Sequence, residues 1–420
     1  MKELTILKRS AFMYAFSILF TGAVNFIAIP VLKIKIGSGE FAYLNLYMNL
    51  LLIVSYIGAG WLVQSCIRFF SSASRQPGFG SSYKKLSIIS AFVTVVAAFI
   101  TVVFFKHYSW MLIAFPLTIL FVNLQSLALA WMQASIKPKV VAVAEIIRSL
   151  VFLSFILVLK KDQGYNLIIM AWVGWLASYA LSLVFLWGMV KRYPVSAEPG
   201  KEAIDTRSAF TKFSAFGFPL SLFLGAHFTL FFADRFFLLK HQPPELVGHY
   251  SALFDVLQKG IGFVLSPFIT AAYPLLARLY EEHNHSDVKK LSTKILRWQL
   301  LITVLVLLGY WLCWPLLKAI LHIDDAGHMF FISGFLMIGG AAIWQINMML
   351  HKPFELEHKT WFLLAIATIC VGALLLADYF IVPIYGFVGA AAVFFTATLL
   401  YSVIILARRS YGVHGGKAVN

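Results

Sequence analysis

The stretch YSALFDVLQKGIGFVLSPFITAAY, residues 250–273, has the length and apolar character of a membrane-spanning helix, yet it carries two charges. Asp255 and Lys259 are four positions apart, so they share one helix face. A charged side chain inside a membrane is expensive and needs either a partner or a function. Two further groups of charges interrupt or close apolar stretches of the same kind: Glu145 with Arg148, and Asp234 with Arg235.

The composition places the whole chain in a membrane. Hydrophobic residues make up 60% of the 420 residues and charged residues only 12%, against about 45–50% and about 25% in soluble domains. About 20 apolar residues cross a bilayer core. With the charge-bearing segments 140–159 and 250–273, the sequence predicts an all-α integral membrane protein with twelve transmembrane helices. The ten charge-free runs that complete this count are 10–32, 41–67, 86–105, 107–136, 163–190, 213–233, 298–317, 326–351, 360–377 and 379–407.

The distribution of basic residues predicts the orientation of these spans. With twelve spans both termini lie on one side, and the tails and connections of that side hold 24 of the 34 Lys and Arg residues. Basic residues are retained on the cytoplasmic side, so we expect both termini to be cytoplasmic. The net charge of +16 reflects this bias and an attraction to anionic lipid. No nucleic-acid partner is predicted.

Short connections leave no room for a separate soluble domain. The longest predicted outer connection, residues 234–247, has only fourteen residues. The chain has no Gly-rich phosphate loop and no hydrolase or metalloprotease motif. We therefore predict no cofactor and no metal site. Three cysteines lie in or beside apolar segments without metal-ligand spacing, and we expect buried thiols: Cys66, Cys313 and Cys370.

An internal repeat divides the chain into two halves. The sequence K-K-L-S occurs at residues 84–87 and 289–292, and Glu40 and Glu245 precede spans at the same offset of 205 residues. Parallel repeats of this kind are related by a pseudo-two-fold axis along the membrane normal and enclose a central cavity between two six-helix lobes. Alternating access is the mechanism that this architecture favours. The predicted domains are an N-terminal lobe, 1–190, a cytoplasmic linker, 191–212, and a C-terminal lobe, 213–420.

The charged residues allow two interpretations. In one, each pair merely neutralises itself and lowers the insertion cost of its helix. In the other, the charges face a cavity and mark a substrate or ion pathway. Arg68 and Arg278 lie near cytoplasmic span ends, where snorkelling to lipid phosphate is a sufficient explanation. Arg235 lies at a predicted outer helix end, where the orientation rule disfavours a basic residue.

Three segments resemble a known family. Residues 233–238 (ADRFFL) and 247–252 (VGHYSA), followed by Tyr273-Pro274, resemble the region around spans seven and eight of the bacterial Wzx-type O-antigen flippases. These belong to the multidrug/oligosaccharidyl-lipid/polysaccharide exporter superfamily. The resemblance implies two six-helix lobes around a central cavity. It also implies movement of an undecaprenyl-diphosphate-linked oligosaccharide from the cytoplasmic to the periplasmic leaflet of the inner membrane, for lipopolysaccharide assembly and alongside other assembly proteins.

This implied substrate selects the candidate site residues. An ion crossing hydrocarbon carries an idealised Born cost on the order of 20 kcal/mol, which a cationic cavity lowers. The candidates for holding the diphosphate are Arg148, Lys259, Arg68, Arg278 and Arg235. Sugars need hydrogen bonds and flat apolar faces, and for the aromatic residues packing against lipid is the alternative. The spans also offer the polar side chains of Gln125, His227 and Tyr179. The candidate sugar contacts are Asn25, Asn45, Asn49, Gln64, Asn123, Trp172, Trp175, Gln345 and Asn347.

The energy source is open at this point. Two uncompensated negative charges moving outward gain about 4.6 kcal/mol per 100 mV, so export of an anionic lipid can be driven by voltage. Alternatively, three acids bind H⁺ or Na⁺ as coupling ions or act only as charge partners: Asp255, Glu145 and Asp234.

Two other functions compete with a flippase. The same superfamily contains multidrug exporters of cationic compounds, whose sites are expected to be acidic. Here two acids balance two bases within the spans, and span ends add arginines, so an anionic substrate is favoured. A membrane enzyme of polysaccharide assembly would need a sizeable outer loop for its catalytic groups. The short connections argue against such an enzyme, and a transporter is predicted.

Overall fold

The computed structural model describes residues 2–105, 107–160, 166–193, 203–282, 284–323, 327–357 and 359–412. Within these ranges the chain is helical and contains no strand. The helices are α1 (Lys2–Ile36), α2 (Ser38–Ala73), α3 (Phe79–Phe104), α4 (Met111–Ala134), α5 (Pro138–Val158), α6 (Leu167–Arg192), α7 (Thr206–Phe232), α8 (Asp234–His241), α9 (Pro244–Glu281), α10 (His285–Ile320), α11 (Gly327–Leu350), α12 (Lys352–Leu356) and α13 (Thr360–Gly412).

These helices make twelve membrane crossings. In the described part of the chain, eleven helical stretches are long and apolar enough to span a bilayer. Two of them join short helices across a single residue, α7 with α8 at Ala233 and α11 with α12 at His351. The last stretch, α13, has 53 residues, enough for two crossings of a core about 30 Å thick. The prediction of an all-α membrane protein with twelve transmembrane helices is confirmed.

The chain reverses direction inside α13 at Gly386. This residue has φ 53° and ψ −130°, a conformation that glycine adopts without a Cβ penalty. A Cβ placed on Gly389 would lie 2.9 Å from the side chain of Ile381, which a straight helix would put about 12 Å away. The apolar runs 360–377 and 379–407 meet at Asp378, and the short first run is expected to extend to residue 380. The structure extends this helical segment further, to Gly386, so Asp378 lies inside a helix.

Contacts divide the chain into two compact units, Met1–Phe228 (unit 1) and Thr229–Asn420 (unit 2). In unit 1, helices approach closely at glycines. A Cβ on Gly217 of α7 would collide with the Trp61 carbonyl of α2, and one on Gly58 would collide with Thr94 of α3. Small residues at helix interfaces allow the close packing that holds helices together in lipid.

Lys35 ties α1 to α5 in unit 1. Its Nζ donates hydrogen bonds to the carbonyl oxygens of Leu157 (2.7 Å) and Leu159 (2.8 Å), at the C-terminal end of α5. The last carbonyls of a helix lack intrahelical donors and carry the negative end of its dipole, so a lysine there is favourable. This contact fixes the end of the helix that carries Glu145 and Arg148.

In unit 2, α9, α11 and α13 pack around aromatic side chains. Phe394 lies 5.0 Å from Phe231 and 5.1 Å from Phe254 between ring centroids. Helix α10 packs differently, because only 6% of its most apolar window is buried, against 28% or more in the other described spans. We expect most of the α10 surface to face lipid.

The structure revises one predicted connection and leaves another open. Residues Asp234–His241 form α8 and Pro244 begins α9, so most of the predicted outer connection 234–247 is helical. The irregular part is residues 242–243. Of the predicted linker 191–212, residues 194–202 lie outside the described residues. The linker and the lobe boundaries therefore stay predictions.

Candidate functional site

A cavity of about 330 Å³ lies within unit 1 among α2, α4, α5 and α6. Three predicted site residues line it: Glu145 and Arg148 on α5, and Gln64 on α2. The rest of its polar lining consists of uncharged amides and hydroxyls: Ser55, Tyr56, Gln125, Ser126, Gln133 and Tyr179. We refer to this space as the unit 1 cavity.

Glu145 and Arg148 form a close ion pair on the wall of the unit 1 cavity. Arg148 Nη2 donates to Glu145 Oε2 at 2.6 Å, and about a fifth of each side chain is exposed. The guanidinium carbon lies 5.2 Å from the ring centroid of Tyr179. Gln125 Nε2 donates to Glu145 Oε1 at 3.3 Å. The pair predicted from i, i+3 spacing is therefore present, and it faces a cavity.

The predicted asparagine contacts of unit 1 do not line this cavity. Asn123 is fully buried and accepts a hydrogen bond from the Ser55 hydroxyl. Asn49 donates to Asn45 at 2.9 Å within α2, and both side chains are buried. Asn25 is half-buried on α1. A sugar contact by any of these asparagines stays a prediction.

The predicted tryptophan contacts are packed in the core of unit 1. Trp172 is 1% exposed, and its Nε1 donates to Thr118 Oγ1 at 2.9 Å. Trp175 is 7% exposed and lies between Trp172 and Tyr179, with centroid distances of 5.2 and 5.8 Å. Of these three aromatic residues, Tyr179 alone also lines the unit 1 cavity. The two indoles therefore hold the wall on which Tyr179 sits, and neither faces lipid.

Arg235 is fully buried in unit 2 and forms an ion pair with Asp255. Its Nη2 donates to Asp255 Oδ1 at 2.7 Å, and its Nη1 donates to the Phe231 carbonyl at 2.9 Å. The guanidinium carbon lies 4.6 Å from the Phe232 ring centroid and 4.8 Å from that of Phe254. Such a guanidinium is held on its edges by oxygen atoms and on its faces by aromatic rings. Arg235 thus joins the end of α7 to α9.

The Asp255–Lys259 pair, which sequence spacing suggests in α9, has a longer N–O distance than the Asp255–Arg235 pair. Lys259 Nζ lies 4.0 Å from Asp255 Oδ2, and 39% of the lysine side chain is exposed. Asp234 also pairs with Arg235, at 3.8 Å from its Nη1, and accepts hydrogen bonds from the Arg235 backbone N–H at 2.8 Å and from the Tyr250 hydroxyl at 2.6 Å. The nearest base to Asp255 is therefore Arg235, twenty positions away in the chain, and Lys259 is the less compensated charge.

Asp378 is an ionisable residue of unit 2 that the sequence analysis did not single out. It is fully buried, and neither carboxylate oxygen has a hydrogen-bond partner among the described residues. Asp234 and Tyr250 are near enough to interact with it electrostatically. The signal was available, because Asp378 is the lone charged residue between positions 360 and 407. Pro383 and Gly386, which punctuate that stretch, mark the turn.

The two remaining arginine candidates lie apart from these sites. Arg68 is exposed at the end of α2, with its guanidinium carbon 5.4 Å from the Phe216 ring centroid. This position fits the snorkelling interpretation as well as a binding role. The side chain of Arg278 lies outside the described residues. A diphosphate contact by either residue stays a prediction.

The two remaining sugar-contact candidates lie on α11. Asn347 is fully buried, donates to the Thr398 carbonyl at 2.9 Å and accepts from the Ser402 hydroxyl at 2.6 Å. These bonds connect α11 to the second segment of α13. Gln345 is half-buried on the same helix. Asn347 is thus already bonded within unit 2, and its role as a sugar contact stays a prediction.

Metal ligands and thiols add no further site. Within the described ranges, no group of three or more His, Cys, Asp or Glu residues is arranged to hold a metal ion. Cys66 and Cys370 are buried free thiols, as expected. Cys313 is exposed on α10, so the expectation of burial is wrong there. Its position on a helix that barely packs explains the difference.

Comparisons with known proteins agree on family and fold. Residues 7–280 match the family described as "Polysaccharide biosynthesis protein". An inward-facing multidrug resistance MATE family transporter of the MOP superfamily has a TM-score of 0.71 at 13% identity, with 94% of this chain and 96% of that chain covered. The lipid II flippase MurJ in an inward closed conformation has a TM-score of 0.72 at 14% identity, with 95% and 87% covered.

An outward-facing multidrug resistance MATE family transporter has a TM-score of 0.66 at 14% identity, with 96% of each chain covered. A search of curated proteins gives no match. The suspected family is confirmed, and the proteins that share the fold are transporters and a flippase, not enzymes.

Proposed function

Since the chain belongs to the polysaccharide biosynthesis protein family, we propose that it is a flippase for an undecaprenyl-diphosphate-linked oligosaccharide. The cargo is the repeat unit of O-antigen or of another surface polysaccharide, moved from the cytoplasmic to the periplasmic leaflet by alternating access. The chain is a multi-pass membrane protein, and we assign it to the bacterial inner membrane with both termini cytoplasmic. Its partners would be this lipid, the surrounding membrane lipids and other proteins of polysaccharide assembly.

The observation that carries this proposal is the charge of Lys259 inside a membrane span. Asp255 is 2.7 Å from the Arg235 guanidinium but 4.0 Å from Lys259. Arg235 therefore neutralises Asp255 more strongly, because Coulomb attraction grows as distance falls. The partly exposed ammonium of Lys259 remains available to an anion, and a compact cation is suited to a phosphate group. A diphosphate is the part of the proposed cargo that needs such a charge.

The test compares three variants in cells that depend on this protein for surface polysaccharide. Lys259→Ala should lower translocation by about 10- to 100-fold, the equivalent of about 1.5 to 3 kcal/mol for a hydrogen bond to a charged group. Lys259→Arg should retain more activity because the charge is kept. Lys240→Ala, at an exposed position near the end of α8, is the matched control.

The measurements are surface polysaccharide and the fraction of lipid-linked oligosaccharide that an enzyme added outside spheroplasts can reach. Wild-type transport by a correctly inserted Lys259→Ala protein would remove Lys259 from the site. If depletion of the whole protein left the distribution of lipid-linked oligosaccharide between the two leaflets unchanged, the flippase proposal itself would be wrong.

A multidrug exporter is the second candidate, and the acids of unit 2 favour it. Three buried carboxylates, Asp234, Asp255 and Asp378, accompany two bases, Arg235 and Lys259. A surplus of acid suits a cationic drug. If the protein is a multidrug exporter, cells that express it should resist cationic dyes. Deleting the protein should then leave the surface polysaccharide unchanged, whereas deletion of a flippase should reduce it.

Ion coupling belongs to the same proposal. Asp255, Glu145 and Asp234 are the predicted H⁺ or Na⁺ ligands, and Asp378 joins them because a buried carboxylate without a hydrogen bond is costly unless it holds a proton or cation. Transport in vesicles should therefore depend on a pH or Na⁺ gradient. Indifference to both gradients, with dependence on voltage alone, would exclude coupling through these acids.

A further inference from the structure

The unit 1 cavity carries no net charge from its ionisable lining. Its two ionisable charges, Glu145 and Arg148, are 2.6 Å apart and neutralise each other. This differs from unit 2, where Lys259 is left partly uncompensated beside an acid that Arg235 already holds. A diphosphate with its negative charges would meet a carboxylate in the unit 1 cavity, so the cavity is poorly suited to it.

The other polar groups of the unit 1 cavity are uncharged and share one hydrogen-bonding property. Gln64, Gln125 and Gln133 supply amides, and the hydroxyls come from Ser55, Tyr56, Ser126 and Tyr179. Each of these side chains both donates and accepts hydrogen bonds. Sugar hydroxyls also do both, so such a lining pairs with them whatever their orientation. A phosphate oxygen only accepts, and it would leave the acceptor atoms of this lining unpaired.

The cavity wall is preorganised rather than loose. Gln125 Nε2 lies 3.3 Å from both Glu145 Oε1 and the Ser182 hydroxyl, and Ser182 donates to the Ala144 carbonyl at 3.0 Å. Arg148 is held by Glu145 on one side and by the Tyr179 ring on the other. Groups held in place before binding lose little entropy when a ligand arrives. The volume of about 330 Å³ is at the small end of ligand pockets, which suits a short sugar segment rather than a whole lipid-linked glycan.

We infer that the unit 1 cavity is a subsite for an uncharged sugar portion of the cargo, and that Arg148 serves it as one half of a neutral pair rather than as a diphosphate contact. This inference rests on the proposed function, which it deepens by dividing the cargo: glycan in unit 1, diphosphate at Lys259. It replaces the role that sequence reasoning gave to Arg148.

The test uses the purified full chain in nanodiscs with one reporter thiol. Leu129→Cys places a thiol in the cavity lining without removing a polar group. Its reaction with N-ethylmaleimide is followed by mass spectrometry, with a second engineered thiol, Lys240→Cys at the exposed end of α8, as internal reference. The probes are maltotriose, which is neutral, trigalacturonate, which has a similar size but is acidic, and inorganic diphosphate.

Maltotriose at ten times its Kd should slow labelling of the cavity thiol about tenfold, because the free fraction falls as 1/(1 + [L]/Kd). Trigalacturonate and diphosphate should leave it unchanged, and labelling of the Lys240→Cys thiol should not respond to any probe. In a Glu145→Gln background the cavity gains a net positive charge, so the two acidic probes should now protect. Glu145→Gln combined with Arg148→Gln removes both charges together and should restore the preference for maltotriose.

Protection by diphosphate but not by maltotriose in the reporter protein would overturn the inference, and so would protection by neither. Acidic probes that protect equally with and without Glu145 would also overturn it, because the charge balance would then not matter. None of these outcomes changes the result expected for the Lys259 variants. Failure of the proposed glycan subsite can therefore be distinguished from failure of the proposed flippase function.

Discussion

Removing the Arg235 guanidinium should destabilise unit 2 more than most single substitutions. Arg235 is fully buried, 2.7 Å from Asp255, and packed between the rings of Phe232 and Phe254. Arg235→Met keeps much of the volume but leaves the Asp255 carboxylate buried without its closest partner. Breaking a buried ion pair in this way costs about 3 to 5 kcal/mol.

The cost should appear as a lower melting temperature. A domain of 150 to 250 residues loses about 2 to 4 °C per kcal/mol, so Arg235→Met should melt about 6 to 20 °C lower than the wild type. The assay is thermal unfolding of the purified protein in detergent, followed by tryptophan fluorescence and by size-exclusion chromatography. Arg68→Met is the matched control, since Arg68 is exposed and has one ring contact worth about 0.5 to 1 kcal/mol.

A double substitution separates a coupled pair from two independent effects. Asp255→Leu alone leaves Arg235 buried and should cost a similar amount, whereas Arg235→Met with Asp255→Leu removes both charges and should recover most of the loss. Additive losses in the double variant would refute the argument that the two residues stabilise each other. A single Arg235→Met variant as stable as the wild type would refute the burial argument itself.

Three further predictions concern α13 and its neighbours. Gly386→Ala should lower the free energy of unfolding by about 1 to 3 kcal/mol, because alanine is strained at a φ of 53°. Gly372→Ala, where an added Cβ meets no neighbour, should raise it by up to about 1 kcal/mol. Equal melting temperatures of the two variants would argue against a reversal at Gly386. Asn347→Ala should lower stability by about 1 to 3 kcal/mol without changing cargo preference, since its amide binds Thr398 and Ser402, and altered preference at unchanged stability would contradict this. Asp378→Asn should abolish the dependence of vesicle transport on pH or Na⁺ gradients while leaving the protein folded; retained dependence would remove Asp378 from coupling.

The features that sequence could predict are those that depend on local composition. Span lengths follow from apolar runs, and the Glu145–Arg148 pair follows from i, i+3 spacing on one helix. The Arg235–Asp255 pair could not be found in this way, because it joins two helices and depends on how α8 and α9 pack. Spacing instead pointed to Lys259, which is in reach of Asp255 but more distant.

Asp378 shows how a rule that finds spans can also misplace a residue. Cutting the chain at every charge turned Asp378 into a boundary between two runs, because the apolar run on each side of it was long enough to count as a span. Residues 360–407 have room for two spans, but their midpoint lies near Pro383 and Gly386 rather than at Asp378. In the unit 1 cavity, similarly, Gln125 matters through contacts with Glu145 and Ser182 that no single helix contains.

The reversal at Gly386 has a mechanical consequence. The two segments of α13 are joined through one glycine, with no loop between them to take up slack. Neither segment can slide along the other by a helical turn without unwinding. Because Asn347 also bonds the second segment to α11, any shift of the last span during a transport cycle must displace all three helices together. Asp378, on the first segment, travels with them.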